Sequence, residues 1–165
     1  MRKFSFTWMM VAAVFLMQPL AAGAASYEID DSHTRVGFKA KHMMVSWVTG
    51  EFTDFEGDID FDPENLEALQ ANITIDVDSV DTNNDKRDDH LRAGDFFAAK
   101  KHPEMTFVST EVRNVEDGSF QLVGNLTLRG VTQEVVLDVT WPGEAFVNPM
   151  GVKVYGFHAE TVIDR

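Results

Sequence analysis

Residues 79–97 read SVDTNNDKRDDHLRAGDFF and gather the side chains best able to do chemistry: five aspartates, two asparagines and His90 in one short stretch. Such a set could hold a divalent cation or couple an imidazole to a carboxylate. The calcium-loop template tests the first idea. Asp81, Asn83 and Asp85 fall at positions 1, 3 and 5, but Lys86 stands where the loop needs glycine and Arg92 where it needs a bidentate glutamate. A cation in place of that carboxylate repels calcium, which excludes an EF-hand.

Other chemistries find no better support. No two of His33, His42, His90, His102 and His158 have the i, i+4 spacing of a helical zinc site, so they read as solvated or capping histidines. Spacing alone leaves open that a fold brings some of them together. The chain has no cysteine and no G-x-S-x-G elbow, and Ser46, Ser79, Ser109 and Ser119 have no histidine beside them. With 27 acidic residues, carboxylate pairs arise by chance and mark no glycosidase. The residues predict no enzyme, no metal and no cofactor. The aspartates read instead as helix caps. Asn84 or Asp85 starts a short helix with Asp88 and Asp89 in its first turn, and Gly94 ends it. Asp95 starts a second, which carries Phe96 and Phe97 and stops before Pro103, giving one helical insertion around residues 84–101.

The elements that must position this insertion have a period of two. Val36, Phe38 and Ala40 alternate with Arg35, Gly37, Lys39 and Lys41, Phe55, Gly57, Ile59 and Phe61 with acidic residues, and Ile73, Ile75 and Val77 with Asn72, Thr74, Asp76 and Asp78. Leu122, Gly124, Leu126 and Leu128 follow, then Val135, Leu137, Val139 and Trp141, then Phe157, Ala159, Thr161 and Ile163. Asp117-Gly118 and Arg129-Gly130 look like hairpin tips. The pattern predicts an all-β, antiparallel sheet around a single core, either a sandwich or a closed barrel.

The N-terminus is different. Arg2 and Lys3 precede the apolar run Phe4 to Met17, and Ala22-x-Ala24 follows, which is the order of a secretory signal peptide over residues 1–24 with cleavage after Ala24 or Ala25. The run is too short for a membrane span, so no span is expected in the mature domain, residues 25–165. The formal net charge of −13 becomes −15 when Arg2 and Lys3 leave, and no basic patch offsets it, so nucleic acid is a poor partner. An exported domain without disulfides must be held by packing. Ten phenylalanines remain, with Trp47 and Trp141, so the interior either fills itself or surrounds an apolar guest; Gly57, Gly124 and Ala159 on inward phases leave room for one.

Several segments together carry a family resemblance. Ser32-His33-Thr34 with Val36-Gly37-Phe38, then Lys41-His42-Met43-Met44-Val45-Ser46 and Gly50-Glu51-Phe52, resemble the first strands of the YceI-like family. Ser79-Val80-Asp81-Thr82-Asn83 with Arg87-Asp88, His90-Leu91 and Asp95-Phe96-Phe97 is similar to its most recognisable motif. Lys101-His102-Pro103, Gly124 to Thr132, and Gly156-Phe157 through Ile163-Asp164-Arg165 continue the match in the family's order.

The resemblance implies a lipocalin-like, extended eight-stranded barrel, exported to the bacterial periplasm, that holds a polyisoprenoid or similar long amphiphile and acts as a carrier rather than a catalyst. A periplasmic stress or structural protein without a guest is the alternative, and a metal-dependent hydrolase a more distant one. The family's order has a further loop and closing strand past Arg165, so a chain stopping there is expected to expose a sheet edge, and a homodimer is one way to cover it. Inward phases nominate Val36, Phe38, Ile59, Phe61, Ile73, Ile75, Phe107, Leu126, Leu128 and Phe157 as contacts for the tail, with Phe96 and Phe97 covering one end. An anionic head group in so acidic a protein needs a local cation, for which Arg92, Lys41 and His42 are the candidates.

Overall fold

A computed structural model describes residues 24–43 and 45–163, apart from the side chain of His42. Almost all of the expected signal peptide, with Asp164 and Arg165, therefore lies outside the described residues. Among the described residues twelve strands follow one another: β1 (Ala25–Glu28), β2 (Val36–His42), β3 (Ser46–Phe52), β4 (Phe55–Phe61), β5 (Gln70–Asp76), β6 (Val80–Asp81), β7 (Glu104–Glu116), β8 (Ser119–Leu128), β9 (Val131–Thr140), β10 (Phe146–Val147), β11 (Lys153–Val154) and β12 (His158–Glu160). Among the same residues one α-helix, α1 (Asp85–Arg92), interrupts them.

Seven strands form a curled antiparallel half-barrel in the order β1-β4-β5-β7-β8-β9-β12. Strands β2, β3 and β6 form a second, smaller sheet, and β10 pairs with β11. The all-β antiparallel architecture agrees with the alternation. Hairpin β2–β3 is a departure from a single continuous barrel, because among the described residues it pairs with β6 rather than with the large sheet.

Two neighbouring strands turn the same corner, and this is why the sheets separate. Strand β3 becomes β4 through Thr53-Asp54, while β5 becomes β6 through the 3-10 turn Val77–Ser79. The Thr53 and Asp54 amides both donate to Ser79 Oγ at 3.1 Å, and the Asp76 amide donates to Asp54 O at 3.0 Å, tying one bend to the other. Phe52, Val77 and Val80, each at most 4% exposed, fill the inside of the corner.

Elsewhere the turn chemistry follows the residues. Arg129 and Gly130, at φ 53° and 72°, form a two-residue connection with both φ values positive, so Leu128 pairs with Val131 across it. Gly118, at φ 76°, lets the chain reverse from β7 into β8. Strand β7 is the longest, at 13 residues, and register shifts between Ser109 and Glu111 and between Arg113 and Glu116 bend it. The strand expected over 157–163 shrinks to the three rungs of β12 against Asp138–Thr140 of β9; Val162 beyond it is 96% exposed and finds no apolar surface to cover.

Helix α1 starts as expected, with the Asn84 side chain accepting from the Arg87 amide at 3.1 Å. Its end corrects the sequence reading. Ala93, not Gly94, is the C-terminal cap, in an extended conformation, and the second helix does not form. Instead the chain folds back on α1: the Phe97, Ala99 and Ala98 amides donate to the carbonyls of Leu91, Arg92 and Ala93 at 2.9–3.0 Å, with Ala98 at φ 55°. Those turns satisfy the carbonyls that a helix end leaves open. Asp95 is thereby freed from capping, and its carboxylate meets His90 Nε2 at 2.9 Å.

Candidate functional site

The motif that begins at Ser79 is a clasp. Asp88 points inward, only 5% exposed, and accepts from the Thr82 amide at 2.9 Å and the Thr82 hydroxyl at 2.5 Å. Arg87 donates to Thr82 Oγ1 at 2.6 Å and to Thr82 O at 2.7 Å. Arg92 donates to Asp78 O at 2.7 Å and Val80 O at 2.9 Å, and its guanidinium lies 3.4 Å from Asp89. Burial alone pushes the Asp88 carboxyl up, but hydrogen bonds from Thr82 and the Asn84 backbone, with the charge of Arg92, hold it below the ordinary range. These bonds tie α1 to the corner at β6.

In the clasp the side chains of Arg87, Asp88 and Arg92 are engaged with Thr82 and with backbone carbonyls. Ser32 does stand beside His33, yet Ser32 Oγ and Asp30 Oδ2 both address Nδ1, at 3.0 and 2.8 Å. A relay needs nucleophile and carboxylate on opposite ring nitrogens. Hydrogen bonds from Ser32, then from His33, lower the Asp30 pKa in this exposed turn. Among the described residues no three His, Asp or Glu side chains converge as a metal-sized cluster. Two open surface depressions, of about 500 and 440 Å³, each present several carboxylates, Glu28, Asp31, Glu56 and Asp58 in one and Asp81, Asp85, Asp88 and Asp89, beside Arg92, in the other. Acidic walls of this kind do not suit an apolar guest.

The buried apolar side chains that form clusters lie on the inward phase of the strands. The first cluster is centred on Phe52, Ile75, Val77, Val80, Ala99 and Met105, with Val36, Phe38, Phe97 and Leu128 packed against them. The second is centred on Phe61, Phe107, Phe120, Leu122 and Val139, with Tyr27, Ile59, Trp141 and Tyr155 against them. Ile73 and Leu126 pack against both and join them into one lining. The sequence reading named neither Phe52, Met105 and Phe120 nor the tyrosines as lining. Tyr155 stands two residues before Phe157 on the same phase, which was the available signal.

Most of the residues nominated for the tail therefore share this one face. Phe157, 36% exposed, reaches it from the edge, 5.1 Å from the Phe61 ring and stacked 6.1 Å from Trp141. Phe97 sets its ring edge-on to Phe52 at 5.6 Å, whereas Phe96 turns toward the His90 ring at 4.6 Å. Two of the three nominated cations, Arg92 and Lys41, have described side chains. Arg92 is engaged by backbone carbonyls, Lys41 stands on hairpin β2–β3 with its ammonium 5.9 Å from the exposed Trp47 ring, and the His42 side chain lies outside the described residues.

The inward glycines correct a further expectation. A Cβ on Gly124 would stand 2.5 Å from Phe107 Cε2, and one on Gly57 would stand 2.6 Å from Ile73 Cδ1. The room they leave is taken by the neighbouring strand's side chains.

The two ends of the lining differ in polarity. Phe61, 1% exposed, is ringed by Tyr27, Trp141, Tyr155 and Phe157 at 4.9–6.3 Å. Burial raises the Tyr27 phenol, and so do its hydrogen bond to Tyr155, the charge of Tyr155 and the Asp62 carboxylate. The buried Nε1 of Trp141 has no hydrogen-bond partner among the described residues.

Comparison with known proteins places this geometry. The model of the YceI-like domain matches residues 27–165. A UPF0312 protein of Pectobacterium atrosepticum is 42% identical over 156 residues, covering 93% of this chain and 80% of its own. Protein YceI of Salmonella newport is 43% identical over 142 residues, 85% of this chain and 73% of its own. Among solved structures, the YCEI protein of Campylobacter jejuni superposes with a TM-score of 0.64 at 38% identity, covering 81% of this chain and 77% of that one. BcnA of Burkholderia cenocepacia gives 0.64 at 29% identity, over 68% and 70%.

Proposed function

Because this chain belongs to the YceI-like domain family, we propose that it is an exported, non-catalytic carrier that holds a polyisoprenoid or similar long amphiphile against the concave face of its half-barrel. The observation that carries the reading is the continuity of that face: two ring-rich clusters share Ile73 and Leu126 as a common waist. A tail laid along it gains about 0.8 kcal/mol for each methylene removed from water, so length supplies affinity with few polar contacts. A signal peptide over residues 1–24 would deliver the domain to the periplasm, and among the described residues no helix is long and apolar enough to cross a membrane.

A protein without a stoichiometric guest is the second reading. The filling of the Gly57 and Gly124 spaces by Ile73 and Phe107 favours it, since those positions offer no room. Mass spectrometry of an organic extract from the full chain, purified from a bacterial host, separates the two. The carrier reading expects a long-chain amphiphile in roughly one-to-one ratio with protein. An extract with no stoichiometric lipid would sink it in favour of the second.

A further inference from the structure

The Phe61 end of the lining holds polar atoms inside a ring of aromatics. Trp141 meets Phe61 edge-on at 5.4 Å and stacks on Phe157, so its ring is positioned from two sides while its Nε1 stays buried and without a partner among the described residues. Tyr27 and Tyr155 meet at 5.3 Å and share Phe61 with it. Indole can only donate, and a buried N–H that has exchanged water for nothing is costly. The Phe52 end, by contrast, is made of Phe38, Phe52, Phe97, Ile75 and Met105, and offers a guest hydrocarbon alone.

Resting on the carrier reading, we infer that the amphiphile is bound in one orientation, with a neutral oxygen of its polar end accepting from Trp141 Nε1 and its tail running past Ile73 and Leu126 toward Phe52. A hydroxyl or carbonyl oxygen fits better than a phosphate. Burial and the nearby Asp62 carboxylate already disfavour negative charge on Tyr27, and would oppose an anion beside it. Arg92, the nominated partner for an anionic head, is committed to the backbone at the opposite end.

The test uses delipidated full-chain protein, geranylgeraniol, and the matching hydrocarbon without the hydroxyl. The indole proton of Trp141, assigned by elimination with Trp8→Phe and Trp47→Phe, is expected to move downfield with the alcohol and not with the hydrocarbon. The alcohol should bind about tenfold tighter than the hydrocarbon, and Trp141→Phe should abolish that preference while changing hydrocarbon affinity by no more than about twofold. Equal binding of both probes to the wild type with an unmoved indole proton would overturn the anchor and leave the carrier reading standing. So would exchange of that proton with water, unchanged by the alcohol. Binding of neither probe would remove the carrier reading and the anchor together. The wild-type spectra decide even if Trp141→Phe fails to fold.

Discussion

The two ends of the apolar face are built from the same kind of ring and are held in different ways. At the Phe52 end, Phe38 and Phe97 flank one phenylalanine at 5.7 and 5.6 Å, and the strands there are pinned by Thr82, Arg87, Asp88 and Arg92. At the Phe61 end, four rings surround one phenylalanine and three of them carry polar atoms. One end is fixed from outside by hydrogen bonds to backbone. The other is fixed from inside by packing, and keeps a donor over. A long amphiphile has the same asymmetry, so on the carrier reading polarity within the lining, rather than charge on its rim, is what would distinguish head from tail.

The contrast is broken most severely by removing its two centres. Phe61→Ala should cost about 4 kcal/mol, and Phe52→Ala about 3 kcal/mol, because Phe61 loses two more aromatic pairs than Phe52 does. Urea unfolding curves with unchanged slope measure the difference. Equal losses would mean that ring number is not what separates the ends.

The clasp is the next largest effect. Asp88→Asn should destabilise by about 2 kcal/mol, since it weakens charge-assisted bonds to Thr82 in a buried position. The sign of its pH dependence follows from a carboxyl held low in the fold. The stability Asp88 contributes is fully present above its unfolded pKa, near 3.9, and is lost as pH falls below that toward the folded value. Asp30, Asp95 and Glu111 are also lowered and act in the same direction, so the quantity to measure is the wild type minus Asp88→Asn. That difference should stay flat from pH 7 to about 5 and shrink below about 4. A difference that grew on acidification would contradict the clasp.

Much of this was legible in the sequence where one physical rule dominated. Alternation placed Phe55 to Phe61 and Leu122 to Leu128 on the correct face, although β8 also buries Val123 on its opposite phase. Arg129-Gly130 marked its hairpin because both residues must turn left-handed. What stayed hidden depended on distant neighbours. Gly57 and Gly124 looked like space, since nothing local says that Ile73 and Phe107 lean across from the next strand. Asp95 looked like a helix cap because Gly94 looked like a stop, whereas the backbone amides of residues 97–99 closed the helix end first. Tyr27 and Tyr155 are far apart in the chain, and nothing local says that their rings meet at 5.3 Å over Phe61. The corner likewise required two separate bends to meet at Ser79.

The smallest predicted effect separates the ends most directly. Arg92 was nominated for an anionic head because it is a cation in an acidic protein, yet its Nε and Nη2 reach the carbonyls of Asp78 and Val80 in a fork that lysine cannot reproduce. Arg92→Lys keeps the charge and loses the fork, so it should cost about 1 kcal/mol in stability. If Arg92 is a strut for the corner, affinities for geranylgeraniol and for geranylgeranyl phosphate should be unchanged in this variant and in Arg92→Gln alike. If it is a head-group ligand, Arg92→Gln should weaken the phosphate alone, while Arg92→Lys retains part of the binding because the charge remains. Calorimetric titration of both probes against both variants distinguishes the two outcomes. A selective loss of the phosphate would return the polar head to the Phe52 end and reverse the orientation drawn from Trp141.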